Sequence, residues 1–389
     1  MKIAIGLYFF MFIAFFDLHA QYPILTPFAV SLGAAPAFIG WMMGIYALTH
    51  LPGNLIAGHG VDKHGSKRYI VFSLIAAGVV LLLQAQVTEP WQLLALRSIS
   101  GFVLAFLSPA CLALLASLSK DAVTQGKLMA GHGVTHTLAS VLSPAAGAFL
   151  VKFAGFSMTF QTLGWILISA GLLAFVTIRG KAAELQLDMS RQHAAKSEHA
   201  GVLPGISLIY YLLPLGVACS QGILFFELPL HDGGGTGGIL HTGIYFSILS
   251  LGSLVTLGML FLHRYSPFLR ALGGILLLAL CFFGLTMPGQ IPMPAVLFVM
   301  GMSKGIIFPA ISSLFIELSG GDKMGRVFSF QSIAMSLGSF IGPIAAGQLH
   351  LTFSPYFLAF VILMLLLILV PPARRLPKQP LTVGGPPAA

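Results

Sequence analysis

Four charged side chains stand out away from the ends of long apolar runs: Asp17, Arg97, Glu227 and Lys304. A charge held at membrane depth is expensive, so such residues pair with one another or serve ions, protons and polar cargo. Asp17 lies about halfway along its run. Gln21 follows one helical turn later on the same face, while His19 is rotated to the other side. Asp17 is the first candidate for a proton-carrying carboxylate, because its protonation depends on the balance between burial and a neighbouring cation. A fixed ion pair that locks helix packing is the alternative role. Arg97 opens the pattern Arg97-x-x-x-Gly101-x-x-x-Ala105 ahead of Pro109, and the small residues let a second helix come close on that face. Lys304 sits near the middle of its run, too deep to snorkel easily, as a counter-ion of Asp17 or Glu227 or as a contact for an anionic substrate. Glu227 shares a face with Ser220 and precedes Pro229, which leaves a coupling role and a rim role both open. His132 and His136 are one turn apart, as are His50 and Asn54. Histidine titrates near neutral pH and suits a proton relay, but hydrogen-bonded packing is the simpler role. The candidates for proton coupling are therefore Asp17 and Glu227. Those for substrate contact are Asp17, Gln21, Arg97, Glu227, Lys304 and His136.

The elements that must carry these residues follow from composition. The chain has 389 residues, 57% of them apolar and 8% charged, and a mean hydropathy of +0.93. A soluble domain carries roughly 25% charged residues, so lipid must be the solvent for most of this surface. A bilayer core takes about 20 apolar residues per helix. Runs that meet this length are 3–31, 36–60, 69–87, 90–119, 125–152 and 158–178, then 205–230, 238–262, 267–285, 292–318, 324–351 and 355–370. The first run has no small-residue cleavage site after it and is read as an uncleaved helix. With the N-terminus inside, every Lys and Arg other than Lys152, Arg97 and Lys304 falls in an inside segment, which predicts cytoplasmic termini. The net charge of +9 thus reports topology, and no nucleic-acid partner is expected. Cys111, Cys219 and Cys281 are isolated within apolar runs and read as packing residues, with neither disulfide nor metal.

The two halves echo each other at an offset of about 200 residues. Gly44-Ile45-Tyr46 matches Gly243-Ile244-Tyr245, Gly53 matches Gly252, and Gly101 matches Gly301. Pro109-Ala110 matches Pro309-Ala310, Gly126-Lys127 matches Gly325-Arg326, and Ser143-Pro144 matches Gly342-Pro343. Phe15-Phe16-Asp17-Leu18 resembles Phe225-Phe226-Glu227-Leu228 at a slightly different offset. Two similar bundles that enclose a midplane site and rock about it are the construction of a secondary transporter.

Between the second and third spans, the loop Gly58-His59-Gly60-Val61-Asp62-Lys63-His64-Gly65-Ser66-Lys67-Arg68 resembles the major facilitator signature G-x-x-x-D-[RK]-x-G-x-[RK]-[RK]. The resemblance extends from about residue 3 to residue 370 and implies an all-α membrane protein of twelve transmembrane helices in two pseudo-symmetric six-helix bundles. The expected organisation is an N-terminal bundle, 1–180, and a cytoplasmic linker, 181–203. A C-terminal bundle, 204–371, and a disordered cytoplasmic tail, 372–389, complete it. In that family helices one, four, seven and ten line the cavity, and the four intramembrane charges fall on those helices. The resemblance also implies gating residues: Gly58, Asp62, Gly65, Lys67 and Arg68, with Asp62 meeting a neighbouring helix N-terminus. Arg97 and the residues after it look like the fourth-helix motif of drug/proton antiporters, where the Arg joins a proton relay. The fifth-helix antiporter pattern G-x-x-x-G-P-x-x-G-G is matched only by Pro144 and Gly147 here. Gly338-x-x-x-Gly342-Pro343-x-x-Ala346-Gly347 in the eleventh span is a closer version, which adds Pro144 and Pro343 to the gating candidates.

An enzyme is not expected, since no span or loop holds a nucleophile, a base and an orienting group at usable spacing. No G-x-x-x-x-G-K-[ST] phosphate loop occurs, so neither ATP nor another cofactor is expected. The resulting expectation is a monomeric, proton-coupled carrier of a small-molecule substrate, multi-pass in an inner membrane and surrounded by lipid. Export by proton antiport leads. Uptake of an organic anion or metal chelate is the alternative, and a non-transporting sensor or scaffold is the third reading.

Overall fold

The computed structural model describes residues 2–119, 121–178, 206–231, 236–287, 289, 291–319 and 324–371. The expected linker and tail lie outside these. Among the described residues every regular element is helical. In chain order, α1 comprises Lys2–Ala20 and, after a break at Gln21, Tyr22–Ser31; α2 is Pro36–His64 and α3 is Ser66–Gln84. The fourth helix, α4, comprises Pro90–Leu104 and Leu107–Ser117. A nearly continuous stretch, Ala122–Thr177, is divided at Gly155, whose φ of 76° reverses the chain, into α5 (122–154) and α6 (156–177). Then come α7 (Leu212–His231), α8 (Thr236–Leu257), α9 (Pro267–Leu285), α10 (Met293–Ser319), α11 (Met324–Leu349) and α12 (Pro355–Leu369). All twelve expected spans are helices, with ends shifted by a few residues.

Two breaks have a shared cause. Proline has no N–H, and its ring collides with the carbonyl four residues earlier. Pro23 therefore disrupts α1 next to Gln21, and Pro109 disrupts α4 at Ala105 and Phe106. The signature segment also differs from the loop expected of it. Residues 58–64 complete the last turns of α2, and Ser66 already starts α3. The whole reversal is made at Gly65, which takes φ 82° and ψ 151°, a conformation that costs a side-chain-bearing residue dearly.

The repeat seen in the sequence marks helix crossings. Gly101 sits against the Tyr46 carbonyl, joining α4 to α2, and its counterpart Gly301 sits against the Leu249 carbonyl, joining α10 to α8. Small residues at such points allow the backbone approach that holds helices together where lipid supplies no hydrophobic drive. Between the halves, α2 packs on α11 and α5 packs on α8. Large apolar side chains such as Phe153, Trp165 and Ile368 cover the outside. On a soluble protein they would form an aggregating surface; here they suit lipid.

Candidate functional site: a cavity between the halves

A cavity of about 780 Å³ lies between the two halves. Its lining runs from midplane residues, among them Arg97 and Lys304, to Asn54 on α2, Leu257 at the end of α8 and Phe328 near the start of α11. Those positions approach the end of the molecule that carries the α2–α3 turn. The opposite end is shut by backbone contact. A methyl group built on Gly44 would lie 2.6 Å from the Phe340 carbonyl oxygen, and one on Gly243 would lie 2.6 Å from that of Pro144. Gly44 and Gly243 are repeat equivalents, so one device closes α2 on α11 and α8 on α5. The Ala145 N–H also donates to Ser247 Oγ at 3.2 Å across the second contact. Pro144 and Pro343 both stand at this closed end, Pro343 beside Gly40 and Gly222.

The N-terminal half contributes a buried polar chain. Arg97 Nη1 donates to Gln21 Oε1 at 3.1 Å, and Gln21 Nε2 donates to Asp17 Oδ1 at 2.9 Å. Local structure accounts for each member. Asp17 and Gln21 stack one turn apart, and Gln21 occupies the break that Pro23 imposes. A capping box of Glu89 and Gln92 starts α4, and Gly101 brings it against α2, so that the Arg97 guanidinium lies 4.6 Å from the Tyr46 ring centroid. Asp17, Gln21 and Arg97 are 2%, 1% and 3% exposed. Arg97 lines the cavity; Asp17 and Gln21 do not. The hydrogen-bonded chain therefore leads from the cavity wall back to the carboxylate.

The C-terminal half is arranged differently. Glu227 does not line the cavity; its Oε2 lies 3.0 Å from His350 Nδ1, just past the last residue of α11 toward the closed end. Lys304 does line the cavity and has no ion-pair partner among the described residues. Its Nζ sits 5.7 Å from the Phe225 ring centroid. Neither Asp17 nor Glu227 is thus the counter-ion of Lys304, because each already has its own partner nearer by.

Aromatic and imidazole rings fill the space between. Tyr22 and Phe225 stack across the two halves at 4.1 Å between centroids and 19° between planes. His19 packs edge-on against Tyr22 at 5.4 Å and against His136 at 5.1 Å. His19 Nδ1 donates to the Phe15 carbonyl at 2.7 Å, which sets the tautomer and leaves Nε2 as the free nitrogen. His50 and Asn54 are hydrogen-bonded at 2.9 Å on the cavity wall. Among the described residues no three His, Cys, Asp or Glu side chains gather as a metal site.

Of the residues expected to touch substrate, the cavity brings together Arg97, Lys304 and His136, while Asp17, Gln21 and Glu227 stand outside its lining. Sequence reasoning missed His19, Tyr22 and Phe225. A signal existed: Phe15, His19 and Tyr22 follow i, i+4, i+7 spacing and so share a helical face. Of the signature residues, Gly65 makes the turn, Lys67 Nζ lies 4.9 Å over the Phe175 ring of α6, and Arg68 is exposed. The side chain of Asp62 and position 58 lie outside the described set, so the latch expected of Asp62 does too.

The family model for the Major Facilitator Superfamily matches residues 7–297 and 273–388. The chain is similar to the uncharacterized MFS-type transporter YuxJ of Bacillus subtilis, 25% identical over 89% of this chain and 93% of that protein. It is 23% identical to the multidrug resistance protein MdtG of Serratia proteamaculans, over 83% of this chain and 80% of the relative. A multi-drug resistance efflux pump PmrA homolog of Lactococcus lactis is 22% identical, over 84% of this chain and 83% of that one. The fold resembles the inward-open xylose transporter XylE of E. coli, with a TM-score of 0.71 at 13% identity, covering 95% of this chain and 97% of that one. A bacterial homolog of the lysosomal transporter Spinster, inward-facing and occupied, has a TM-score of 0.73 at 13% identity, covering 95% of both chains. Twelve membrane helices in two repeated halves around a central cavity, matched along nearly the whole chain, place this protein in the Major Facilitator Superfamily as a multi-pass membrane transporter rather than an enzyme.

Proposed function

We propose that the protein is a proton-coupled secondary transporter that exports a small organic solute across an inner membrane by alternating access, exchanging it for protons. The observation that carries this reading is the buried chain Arg97–Gln21–Asp17, which starts at the cavity wall and ends on a carboxylate. With Asp17 ionised, Arg97 and Asp17 neutralise one another through the Gln21 amide. With Asp17 protonated, Arg97 carries an uncompensated charge beside the cavity. Each protonation state thus favours a different arrangement of the helices around it, and an equilibrium that protons and substrate both bias is what coupling requires. Multidrug efflux in the names of several relatives supports the direction.

Basic residues Lys63, Lys67 and Arg68 mark the end to which the cavity opens as the cytoplasmic one, with both chain termini on that side. The conformation is then inward-facing, and the cycle must part α2 from α11 and α5 from α8 at the far end. The carrier works as a monomer within lipid, since both halves of the site come from one chain.

Proton flux into liposomes holding the purified protein tests this, with a panel of lipophilic cations and organic anions as candidate cargo. A transported compound should drive proton movement in the wild type, and Asp17→Asn should abolish that movement. Asparagine still accepts from Gln21, so the fold is kept. Equal coupled flux in both proteins would remove Asp17 from the mechanism.

A further inference from the structure

We infer that the cargo is an amphipathic aromatic anion, its acid group held at Lys304 and its ring seated on the Tyr22–Phe225 stack. This rests on the transporter reading and specifies the chemistry of that same cavity.

Arg97 and Lys304 both line the cavity, three histidines (His19, His50 and His136) join them, and among the described residues no Asp or Glu does. Arg97 is already offset by Asp17 through Gln21. Among the described residues no acid offsets Lys304, and its near neighbour is the face of Phe225. An ammonium midway along a membrane helix, the twelfth residue of α10, is costly to leave unneutralised, and bound anionic cargo removes that cost. A cation entering the same cavity would meet the Lys304 ammonium and, among the described residues, no carboxylate on the wall, so the wall rejects it as well as welcoming the opposite sign.

Shape points the same way. Lys304 adjoins Phe225, Phe225 stacks on Tyr22, Tyr22 meets His19, and His19 meets His136. This unbroken path of rings and cations crosses from one half to the other. An aromatic plate fits beside the stack with offset or edge contacts, and its acid group reaches the ammonium at one end. The volume of about 780 Å³ admits a cargo of two or three fused rings with room for water. Because the path takes residues from α1, α5, α7 and α10, such an anion bridges both halves, as a substrate that controls their rocking must.

The test uses the purified full chain and calorimetric titration with 1-naphthoate, the neutral 1-naphthamide and the cationic 1-naphthylmethylammonium. Naphthoate should bind at least about tenfold more tightly than the other two, the scale of one charged contact. Lys304→Gln should erase the preference for naphthoate over naphthamide, while Lys304→Arg keeps it; unchanged thermal melting of both variants confirms the fold. Tightest binding of the cation, no binding of naphthoate, or an unaltered preference in Lys304→Gln overturns the inference. The liposome assay separates the two readings. A cation carried in exchange for protons would leave the transporter standing and remove the anion site. Naphthoate that bound at Lys304 and never crossed would do the reverse.

Discussion

The two halves of this transporter share a frame and differ in how they handle charge. In the N-terminal half an acid and a base, Asp17 and Arg97, are joined through one amide in a space with almost no solvent exposure. In the C-terminal half the corresponding acid, Glu227, is turned to His350 near the closed end, and the base, Lys304, stands in the cavity with no carboxylate partner among the described residues. In the mechanism we propose, neutralised charge inside one bundle sets the protein's own conformational balance, and unneutralised charge on the cavity wall meets the cargo. Duplicated helices have thus kept their crossing points, Gly44 with Gly243 and Gly101 with Gly301, while their polar groups were assigned different work.

The largest expected effect from breaking this comparison lies in the N-terminal network. Arg97→Met leaves Asp17 and Gln21 buried without their cation and should destabilise the protein by about 3–5 kcal/mol, read as loss of folded protein in graded denaturant. Combining it with Asp17→Asn should cost less than the sum of the two single changes, because the residues act as one unit. Additive losses would show that the two charges do not communicate.

The closed end carries the next effect. Gly243→Val drives a side chain into the Pro144 carbonyl and Ala148, and overpacking of this kind costs roughly 1–3 kcal/mol in the closed arrangement. That strain is relieved when α5 and α8 separate. Spin labels at the closed ends of those helices should therefore report a longer distance in the variant, with little loss of overall stability. Gly44→Val should do the same to α2 and α11, and a response at one contact alone would break the symmetry argued from the repeat.

The smallest effect belongs to Glu227. Glu227→Gln keeps a side chain that can bond His350, whose own side chain is 25% exposed. A stability change of about 1 kcal/mol and intact proton coupling in the liposome assay are expected. If coupling instead fell as far as in Asp17→Asn, the functional division between the halves would be wrong.

Particular residues show what was legible beforehand. The spans were, and so was the depth of Asp17, Arg97 and Lys304 within them, since a polar residue between long apolar flanks has one place to be. Asp17 and Gln21 were placed on one face by period alone, and they are hydrogen-bonded. The matched glycines and prolines were visible as a repeat before they were recognisable as crossings. His19 is rotated away from Asp17 on the helix, and that same rotation turns it into the cavity. The sequence leaves Lys304 open as a counter-ion of Asp17 or Glu227 or as a contact for an anionic substrate, and in the structure each of those acids has another group closer in space.

Sequence by itself determined that this chain lives in lipid, how many times it crosses, and which helices carry charge. Those properties depend on local composition and on backbone groups that must bond within their own helix when no water is present. Tertiary structure alone decided that Arg97 reaches Asp17 through Gln21, that Glu227 goes to His350, and that Lys304 is left to the cavity. Which face of each helix meets which neighbour depends on rotation and tilt, and these are set by packing between residues more than a hundred positions apart.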